Sequence, residues 1–138
     1  MTDRPPTASG QLPIELILFR QVASYLAMPM LLVDADGDLV FFNEPAGELL
    51  GRRFDDTGEV PMAEWVRWFR PADDVEGHTI TPFAVSVLIA LRTHQAAHDR
   101  VRITEPNGAA GMLETTAFPL QGQGGRMLGA VALFWPAS

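Results

Sequence analysis

Residues 29–51 read PMLLVDADGDLVFFNEPAGELLG, and this stretch decides the fold. A short apolar run at residues 30–33 is followed by Asp-Ala-Asp-Gly at 34–37 and by a second apolar run at 39–42. Asp-Gly between two apolar runs is a strong signal for a β-hairpin, because these residues tolerate the backbone of a tight turn. The stretch therefore predicts two short antiparallel strands.

A short helix is predicted directly after this hairpin. Asn43 is a favoured N-cap residue, because its side chain can accept a hydrogen bond from the first helical turn. Pro45 lies in that first turn, where a proline ring is tolerated. Gly51 then predicts the C-terminal cap, where the backbone commonly turns left-handed.

The segment before the hairpin predicts a tail and a flanking helix. Residues 1–12 are polar and proline-rich and predict a disordered tail. Residues 13–28 predict a helix that Pro29 ends. Its apolar residues form two stripes, the first being Ile14, Ile17, Leu18 and Tyr25 and the second being Leu16, Phe19, Val22 and Leu26. Since a surface helix needs only one apolar stripe, we expect this helix to pack both on its own domain and on another surface.

The segment after residue 51 predicts further short helices and then three strands. The apolar spacing predicts helices over 62–69 and 82–93, with loops at 52–61 and 70–81. Strands are predicted at residues 100–104, 112–120 and 127–135, separated by turn-forming residues. The order is typical of an α+β fold, with helices over one face of an antiparallel sheet and the N-terminal helix available for the other.

Composition excludes several classes of protein. The chain has 138 residues, which fits one domain. Its net charge is −7, and all ten basic residues are Arg without forming a cluster, so we expect neither a nucleic acid nor a membrane surface as partner. The absence of Cys excludes disulfides, thiolate nucleophiles and any cofactor attached through Cys. No apolar run of about 18 residues and no signal-peptide pattern are present, so we expect a cytoplasmic protein.

The opening stretch resembles the start of a PAS domain, and residues 100–135, RVRITEPNGAAGMLETTAFPLQGQGGRMLGAVALFW, resemble its three C-terminal strands. The resemblance covers residues 14–135 and assigns 29–136 to the PAS domain itself. It implies a five-stranded antiparallel sheet in the order 2-1-5-4-3, with a helical layer enclosing a pocket. PAS domains are sensory and interaction modules that commonly dimerise through an N-terminal helix. No output domain is recognisable here, so we expect an effect in trans on an unidentified signalling protein.

The cofactors of PAS relatives can be tested against single positions. Flavin photoreceptors and relatives of photoactive yellow protein need a Cys, which this chain lacks. The resemblance places the axial His of haem-binding relatives near residues 83–87, which contain no His. His78, His94 and His98 are better interpreted as solvated loop or helix-end residues, and two of them four apart do not make a zinc site. Haem is therefore disfavoured.

Non-covalent flavin is disfavoured for a separate reason. In flavin-binding relatives, polar side chains on the third, fourth and fifth strands face the ring system. The matching positions here are Ile103, Leu113 and Val131, and all three are apolar. The Arg residues that contact the flavin phosphate in the family also have no clear match.

The same resemblance predicts an apolar pocket between sheet and helices. Thr115 is its one polar lining residue, and Trp65 or Trp68 is expected to close one side. The predicted lining is Leu31, Val33, Trp65, Val87, Leu91, Val101, Ile103, Leu113, Thr115, Ala117, Gly129 and Val131. Such a lining suits a small hydrophobic ligand such as an acyl chain or an aromatic metabolite. The alternative is that these residues fill one another's space as an ordinary core.

The opposite face of the sheet predicts a partner surface. Its outward positions are too apolar to remain solvated, and the N-terminal helix can cover them while its second stripe meets a second copy. The predicted homodimer interface is Ile14, Ile17, Leu18, Phe19, Val22, Tyr25, Leu26, Phe118, Leu128, Ala130, Ala132 and Phe134. The alternative is a helix that covers only its own sheet.

These observations predict a sensory module rather than an enzyme. Asp34, Asp36 and Asp38 are best explained by turn formation, because the spacing of a calcium-binding loop is absent. Ser24 and Ser86 have no recognisable His and acid partners, and the glycine-rich QGQGG at 121–125 lacks the Lys of a phosphate-binding loop. Two alternatives to the sensor are a ligand-free interaction scaffold and a small carrier of apolar ligands.

Overall fold

The computed structural model describes residues 13–68, 81–104 and 107–137 of the chain. The predicted tail at 1–12 and most of the predicted loop at 70–81 lie outside the described residues. The helices are α1 Ile14–Ala23, α2 Glu44–Leu50, α3 Phe54–Thr57, α4 Met62–Trp65 and α5 Pro82–Thr93, and a single 3-10 turn spans Gln123–Gly125. The strands are β1 Met30–Asp34, β2 Leu39–Phe42, β3 Ala97–Thr104, β4 Ala110–Gln121 and β5 Met127–Pro136.

The five strands form one antiparallel sheet in the order β2-β1-β5-β4-β3, which confirms the predicted fold class. β1 and β5 are neighbours although they lie at opposite ends of the chain, with Leu32 opposite Val131. β3 and β4 begin before the predicted residues 100 and 112. The additional residues at the start of β3 and β4 are polar or small, so the apolar pattern does not indicate them. Backbone pairing between β3 and β4 includes them in the strands.

The predicted hairpin and helix caps are present. Asp34 Oδ1 accepts hydrogen bonds from the backbone N–H groups of Asp36 at 3.0 Å and Asp38 at 3.1 Å, which holds the turn between β1 and β2. Asn43 caps α2 by accepting from Ala46 N–H at 3.1 Å. Gly51 ends α2 with φ of 70°, a left-handed conformation that glycine adopts without steric cost.

The sheet separates two apolar layers. The inner layer lies between the sheet and α2–α5 and contains, among others, Leu31, Val33, Trp65, Phe83 and Phe134. The outer layer lies between the opposite face of the sheet and α1, and it consists of Leu16, Ala23, Met30, Leu32, Val40, Leu128 and Val131 with partly buried neighbours. The helices thus occupy one face and the N-terminal helix the other, as predicted. Of the helices that the structure describes, none is long and apolar enough to cross a membrane.

The predicted orientation of β5 is wrong. Val131 was predicted to line the inner pocket, but it belongs to the outer layer. Ala130, Ala132 and Phe134 were predicted to face outward toward a partner, but they belong to the inner layer. Leu128 alone of these outward predictions in β5 lies in the outer layer.

A β-bulge explains this reversal. Leu120 pairs with Gly129 whereas the next residue, Gln121, pairs with Met127, so Leu128 is an extra residue in β5. One extra residue shifts every later side chain to the other face of a strand. Because β5 is apolar on both faces, its sequence alternation carries no signal that would have revealed the shift.

The helices near the N-terminus also differ from prediction. α1 ends at Ala23 rather than continuing to Pro29, and residues 24–28 form a turn and bends. α3 lies within the predicted loop at 52–61, and α4 covers only the first turn of the predicted helix at 62–69. These helices have only four residues each, which is too short for an apolar period to be recognised.

Candidate functional site

The inner layer brings together most of the predicted pocket lining. Eight predicted residues belong to this cluster, namely Leu31, Val33, Trp65, Val87, Val101, Ile103, Leu113 and Ala117. Leu91 is partly buried against it, and Trp68 also belongs to it. Thr115 lies between Leu113 and Ala117 on the same face of β4 and is fully buried. Val131 is on the other side of the sheet, as described above.

Gly129 was predicted to line the pocket, and the structure gives it a different role. It pairs with Asp34 of β1, and a Cβ added to it would collide with the Val33 carbonyl oxygen. Its role is therefore to let β1 and β5 approach at the bulge, because only a residue without a side chain fits between the two backbones.

Several inner-layer residues were missed by the sequence analysis. Phe83 of α5 and Phe134 of β5 meet edge to face, with ring centroids 5.0 Å apart. Small side chains belong to the same layer, namely Ala84, Ala90, Ala130 and Ala132. The helical spacing of Phe83, Ala84, Val87 and Ala90 could have identified the α5 residues, whereas the β5 residues depend on the bulge.

Thr115 is the chemically distinctive residue of this layer. Its side chain has no exposed surface, and its Oγ1 has no hydrogen-bond partner within the described part of the chain. Its register neighbour on β5 is Phe134, which places the hydroxyl beside the aromatic pair under α5. An unpaired buried hydroxyl costs about 1–3 kcal/mol, so the site carries an unused hydrogen-bonding group in otherwise apolar surroundings.

Two hydrogen bonds close one side of the inner layer. Trp65 Nε1 donates to the Gly37 carbonyl oxygen at 2.8 Å, so the buried indole carries its one polar group to a partner. Asp38 Oδ1 accepts from Met62 N–H at 2.9 Å and thereby holds the start of α4 against the β1–β2 turn. This arrangement places Trp65 at the edge of the predicted pocket.

The predicted dimer residues divide into three groups. Ala130, Ala132 and Phe134 belong to the inner layer, as described above. Phe19 of α1 packs in the outer layer with Phe118 and Leu128 of the sheet. The exposed group lies on α1 and just beyond it, and its exposed fractions are 68% for Ile14, 43% for Ile17, 55% for Leu18, 57% for Val22, 88% for Tyr25 and 38% for Leu26. We call these six residues the α1 surface; it is apolar, and none of the residues 13–68, 81–104 and 107–137 covers it.

Asn43 joins α1 to the rest of the molecule. Its Oδ1 accepts from Met30 N–H at 3.0 Å in addition to capping α2. Its Nδ2 donates to the carbonyl oxygens of Ala23 at 3.3 Å and Met28 at 2.9 Å. One buried side chain therefore touches the end of α1, the start of β1 and the start of α2, which the sequence suggested only for the cap.

Asp34 is a titratable group in a partly buried environment. Burial raises the pKa of its carboxyl group above the usual value, because the charged form loses solvent. The hydrogen bonds from Asp38 and Asp36 N–H oppose that rise, and the nearby Asp38 and Asp36 carboxylates add to it. The two hydrogen bonds that its carboxylate accepts explain why an aspartate occupies this position of the turn.

The histidines in the described ranges are surface groups. His94 ends α5 with a left-handed φ of 60° and is exposed. His98 lies on β3, where its Nδ1 is 2.6 Å from Thr116 Oγ1 and its Nε2 is 3.1 Å from Glu114 Oε1. His78 lies outside the described residues. Over residues 13–68, 81–104 and 107–137, no three acidic or His side chains are grouped so as to hold a metal ion.

Comparison with known proteins finds likeness at the level of structure. No family model and no curated protein matches the sequence. The PAS domain of a protein from Colwellia psychrerythraea is similar over 89% of this chain and 97% of its own, with 17% identity and a TM-score of 0.62. The LOV protein of Rhodobacter sphaeroides is similar over 91% of this chain and 69% of its own, with 13% identity and a TM-score of 0.68. VqmA bound to DPO is similar over 91% of this chain and 58% of its own, with 18% identity and a TM-score of 0.61.

Proposed function

We infer from the PAS fold of this chain that it is a sensory signalling module, and we propose that a small ligand is its input. The ligand is mainly apolar and carries one hydrogen-bonding group. The ligand occupies the inner layer between α5 and the sheet, and its binding shifts α1. The α1 surface forms a homodimer, and the output acts in trans on a signalling protein in the cytoplasm.

The buried hydroxyl of Thr115 carries the ligand proposal. A core optimised only for packing gains by placing Val here, because Val has the same shape without the cost of an unpaired hydroxyl. A ligand atom that accepts or donates a hydrogen bond removes that cost. The inner layer also contains the small side chains of Ala84, Ala90, Ala117 and Ala132, which supports a place for the ligand's apolar part in this layer.

A Thr115→Val variant tests the proposal, with Thr116→Val as the matched control. Thr116 is the next residue of β4, and its hydroxyl lies on the other face against His98. Native mass spectrometry of the purified wild type should show extra mass from a bound molecule. We expect Thr115→Val to lower its occupancy about fivefold or more, as loss of one buried hydrogen bond implies, and Thr116→Val to leave it unchanged. Equal retention by all three proteins contradicts the assigned site.

A ligand-free interaction scaffold is the second candidate. The complete burial of Leu31, Val33 and Val87 favours it, because these residues already fill one another's space. A wild-type dimer without additional mass and without absorbance beyond its aromatic residues supports the scaffold and contradicts the sensor. The third candidate is a carrier of apolar ligands. It requires that a ligand is bound and that its removal leaves the position of α1 unchanged.

The proposed ligand is neither haem nor flavin, and the chain is not proposed to be an enzyme. On β5, Ala130 and Ala132 face the inner layer where Val131 was predicted to do so, and they are also apolar. Neither offers the polar groups that a flavin ring needs. The net charge of −7 supports a protein partner over nucleic acid, because phosphates repel such a surface.

A further inference from the structure

A surface cleft of about 630 Å³ lies at the free edge of β2, outside the inner layer discussed above. Its walls come from β2, α2 and α3, and the connection between the two helices closes one end. Gly47 keeps this connection close to α2, because a Cβ added there would collide with the Arg52 carbonyl oxygen. The backbone approach at Gly47 therefore fixes the position of one end of the cleft.

Aromatic rings form the floor of the cleft. Phe54 of α3 meets Phe41 edge to face, with ring centroids 5.2 Å apart, and meets Phe42 at 5.4 Å. Phe41 belongs to the outer layer and Phe42 to the inner layer, so Phe54 wraps around the edge of the sheet. Phe42 is buried whereas Phe41 and Phe54 are half-buried, so two partly exposed rings lie where the sheet meets solvent.

A guanidinium group from α1 lies against two of these rings, although Arg20 does not itself line the cleft. The Cζ atom of Arg20 lies 5.2 Å from the Phe41 centroid and 5.6 Å from the Phe54 centroid. Both distances lie within the range of a cation–π contact. Phe41 and Phe54 therefore both contact a guanidinium within the folded chain.

The rim of the cleft is acidic. Its lining contains four carboxylates and two guanidinium groups, and one pair of these, Arg53 and Asp55, lies 3.8 Å apart. Arg52 instead lies over the Trp68 ring, with Cζ at 4.5 Å. Glu44, Glu48 and Asp56 take part in no ion pair within the part of the chain that the structure describes.

We propose that this cleft binds an arginine-bearing peptide segment of a partner protein, whose guanidinium takes the place of Arg20 on Phe41 and Phe54. The three unpaired carboxylates favour a cation, and the aromatic pair already accepts a guanidinium. An anion is disfavoured, because Arg53 has an acidic neighbour and Arg52 is engaged by Trp68. The site does not depend on a ligand in the inner layer.

Displacement of Arg20 gives the binding event a structural consequence. Arg20 lies in the last turn of α1, one turn before Ala23, whose carbonyl oxygen is held by Asn43. Removing the contact between Arg20 and the rings therefore loosens the helix that carries the α1 surface. A peptide in the cleft would in this way change the dimer.

The test uses the full chain and a capped tripeptide, acetyl-Ala-Arg-Ala-amide, with its citrulline analogue as the neutral control. We expect the Arg peptide to shift the backbone amide signals of Arg20, Phe41, Gly47 and Phe54 in ¹⁵N-HSQC titrations. We expect the citrulline peptide, which has nearly the same shape without the charge, to bind at least about fivefold more weakly.

Three variants separate this site from general charge attraction. Glu48→Gln with Asp56→Asn should weaken binding about threefold to tenfold, since two exposed carboxylates are lost. Glu59→Gln with Glu64→Gln removes the same charge from exposed residues that do not line the cleft, and it should have little effect. Arg20→Gln should tighten binding, because it removes the competing guanidinium.

Four results would overturn the proposal. The first is equal binding of the citrulline peptide, and the second is an equal effect of the two double variants. The third is unchanged or weaker binding by Arg20→Gln, which contradicts displacement. Signals that move in the cleft with inorganic phosphate but not with the Arg peptide would instead assign an anion to Arg52 and Arg53 and would also contradict it.

Discussion

Asp34 illustrates how a single residue is fitted to a turn at some electrostatic cost. Its carboxylate accepts two backbone hydrogen bonds, from Asp36 and Asp38, within the turn between β1 and β2. Burial nevertheless raises its pKa, so desolvation outweighs these hydrogen bonds. The residue suits the turn through its acceptor geometry, and its charge is a disadvantage.

We expect Asp34→Asn to be at least as stable as the wild type at neutral pH, because the amide oxygen keeps both acceptor positions without the charge. A raised pKa means that the folded state binds the proton more tightly than the unfolded state. The wild type should therefore lose stability relative to the variant as pH rises from about the unfolded value of 3.8 through the higher folded pKa. Urea unfolding measured across this range checks the prediction.

Glu59→Gln, which removes one carboxylate at a different, exposed position, is the matched charge control for Asp34→Asn and is measured over the same pH range. A wild type that gains stability relative to Asp34→Asn as pH rises over the same range would contradict the prediction, because it would mean that the folded state favours the charged form.

At the scale of elements, α1 is attached to the sheet by few interactions. Its buried residues are Leu16 and Ala23, and most of its large apolar side chains are exposed. A weak ion pair joins Glu15 to Arg126, with the atoms 3.8 Å apart. The hydrogen bonds of Asn43 to Ala23 and Met28 are therefore a large part of what fixes the end of this helix.

We expect Asn43→Ala to lower the free energy of unfolding by about 2–4 kcal/mol, because it removes a helix cap and leaves buried backbone groups without partners. Asn43→Asp keeps the acceptor for Met30 and Ala46 but removes the donor for α1. It should raise hydrogen exchange in α1 more than in β4. Urea unfolding and amide exchange mass spectrometry provide the two measurements.

Asn107→Ala is the matched control for the Asn43 variants. Asn107 accepts one hydrogen bond from Ala109 N–H in an exposed turn, so its loss should cost less than about 0.5 kcal/mol. Equal exchange of α1 in Asn43→Asp and wild type would show that Asn43 does not anchor the helix.

At the scale of the whole molecule, the uncovered α1 surface is the feature that a single chain leaves unexplained. Tyr25 and Ile14 are exposed by 88% and 68%, and they belong to the same short segment as Leu18 and Val22. Contiguous apolar surface of this kind commonly marks an interface. A symmetric pair of chains would bury the same residues twice, which is the basis of the proposed homodimer.

We expect Ile17→Glu with Leu18→Glu to weaken the dimer about a hundredfold or more, since each substitution appears twice in a symmetric interface and charges are placed in apolar contact. Sedimentation equilibrium measures the dissociation constant. Gln21→Glu adds charge to an exposed position of the same helix outside the α1 surface and should have a smaller effect. A wild type that is monomeric, or a variant that dimerises equally well, contradicts the role of α1.

Local sequence patterns determined much of this protein. The Asp-Gly turn, the Asn43 cap, the Gly51 cap and the α5 helix all follow from short-range chemistry, and the structure contains each of them. The inward residues of β3 and β4 alternate with half-buried or exposed ones, so periodicity separates the two faces of these strands. β1 is buried on both faces, so its inward residues were predicted from the family resemblance and not from periodicity.

Tertiary structure alone decided the rest. The orientation of β5 depends on a bulge that exists only where β5 pairs with β4, and a strand apolar on both faces hides it. The Thr115 hydroxyl is unpaired because no neighbouring group in the described part of the chain donates a hydrogen bond to it or accepts one from it. The cleft brings Arg20, Phe41 and Phe54 together from separate elements. Pairing, hydrogen-bond satisfaction and concave surfaces involve residues distant in sequence, so no local pattern encodes them.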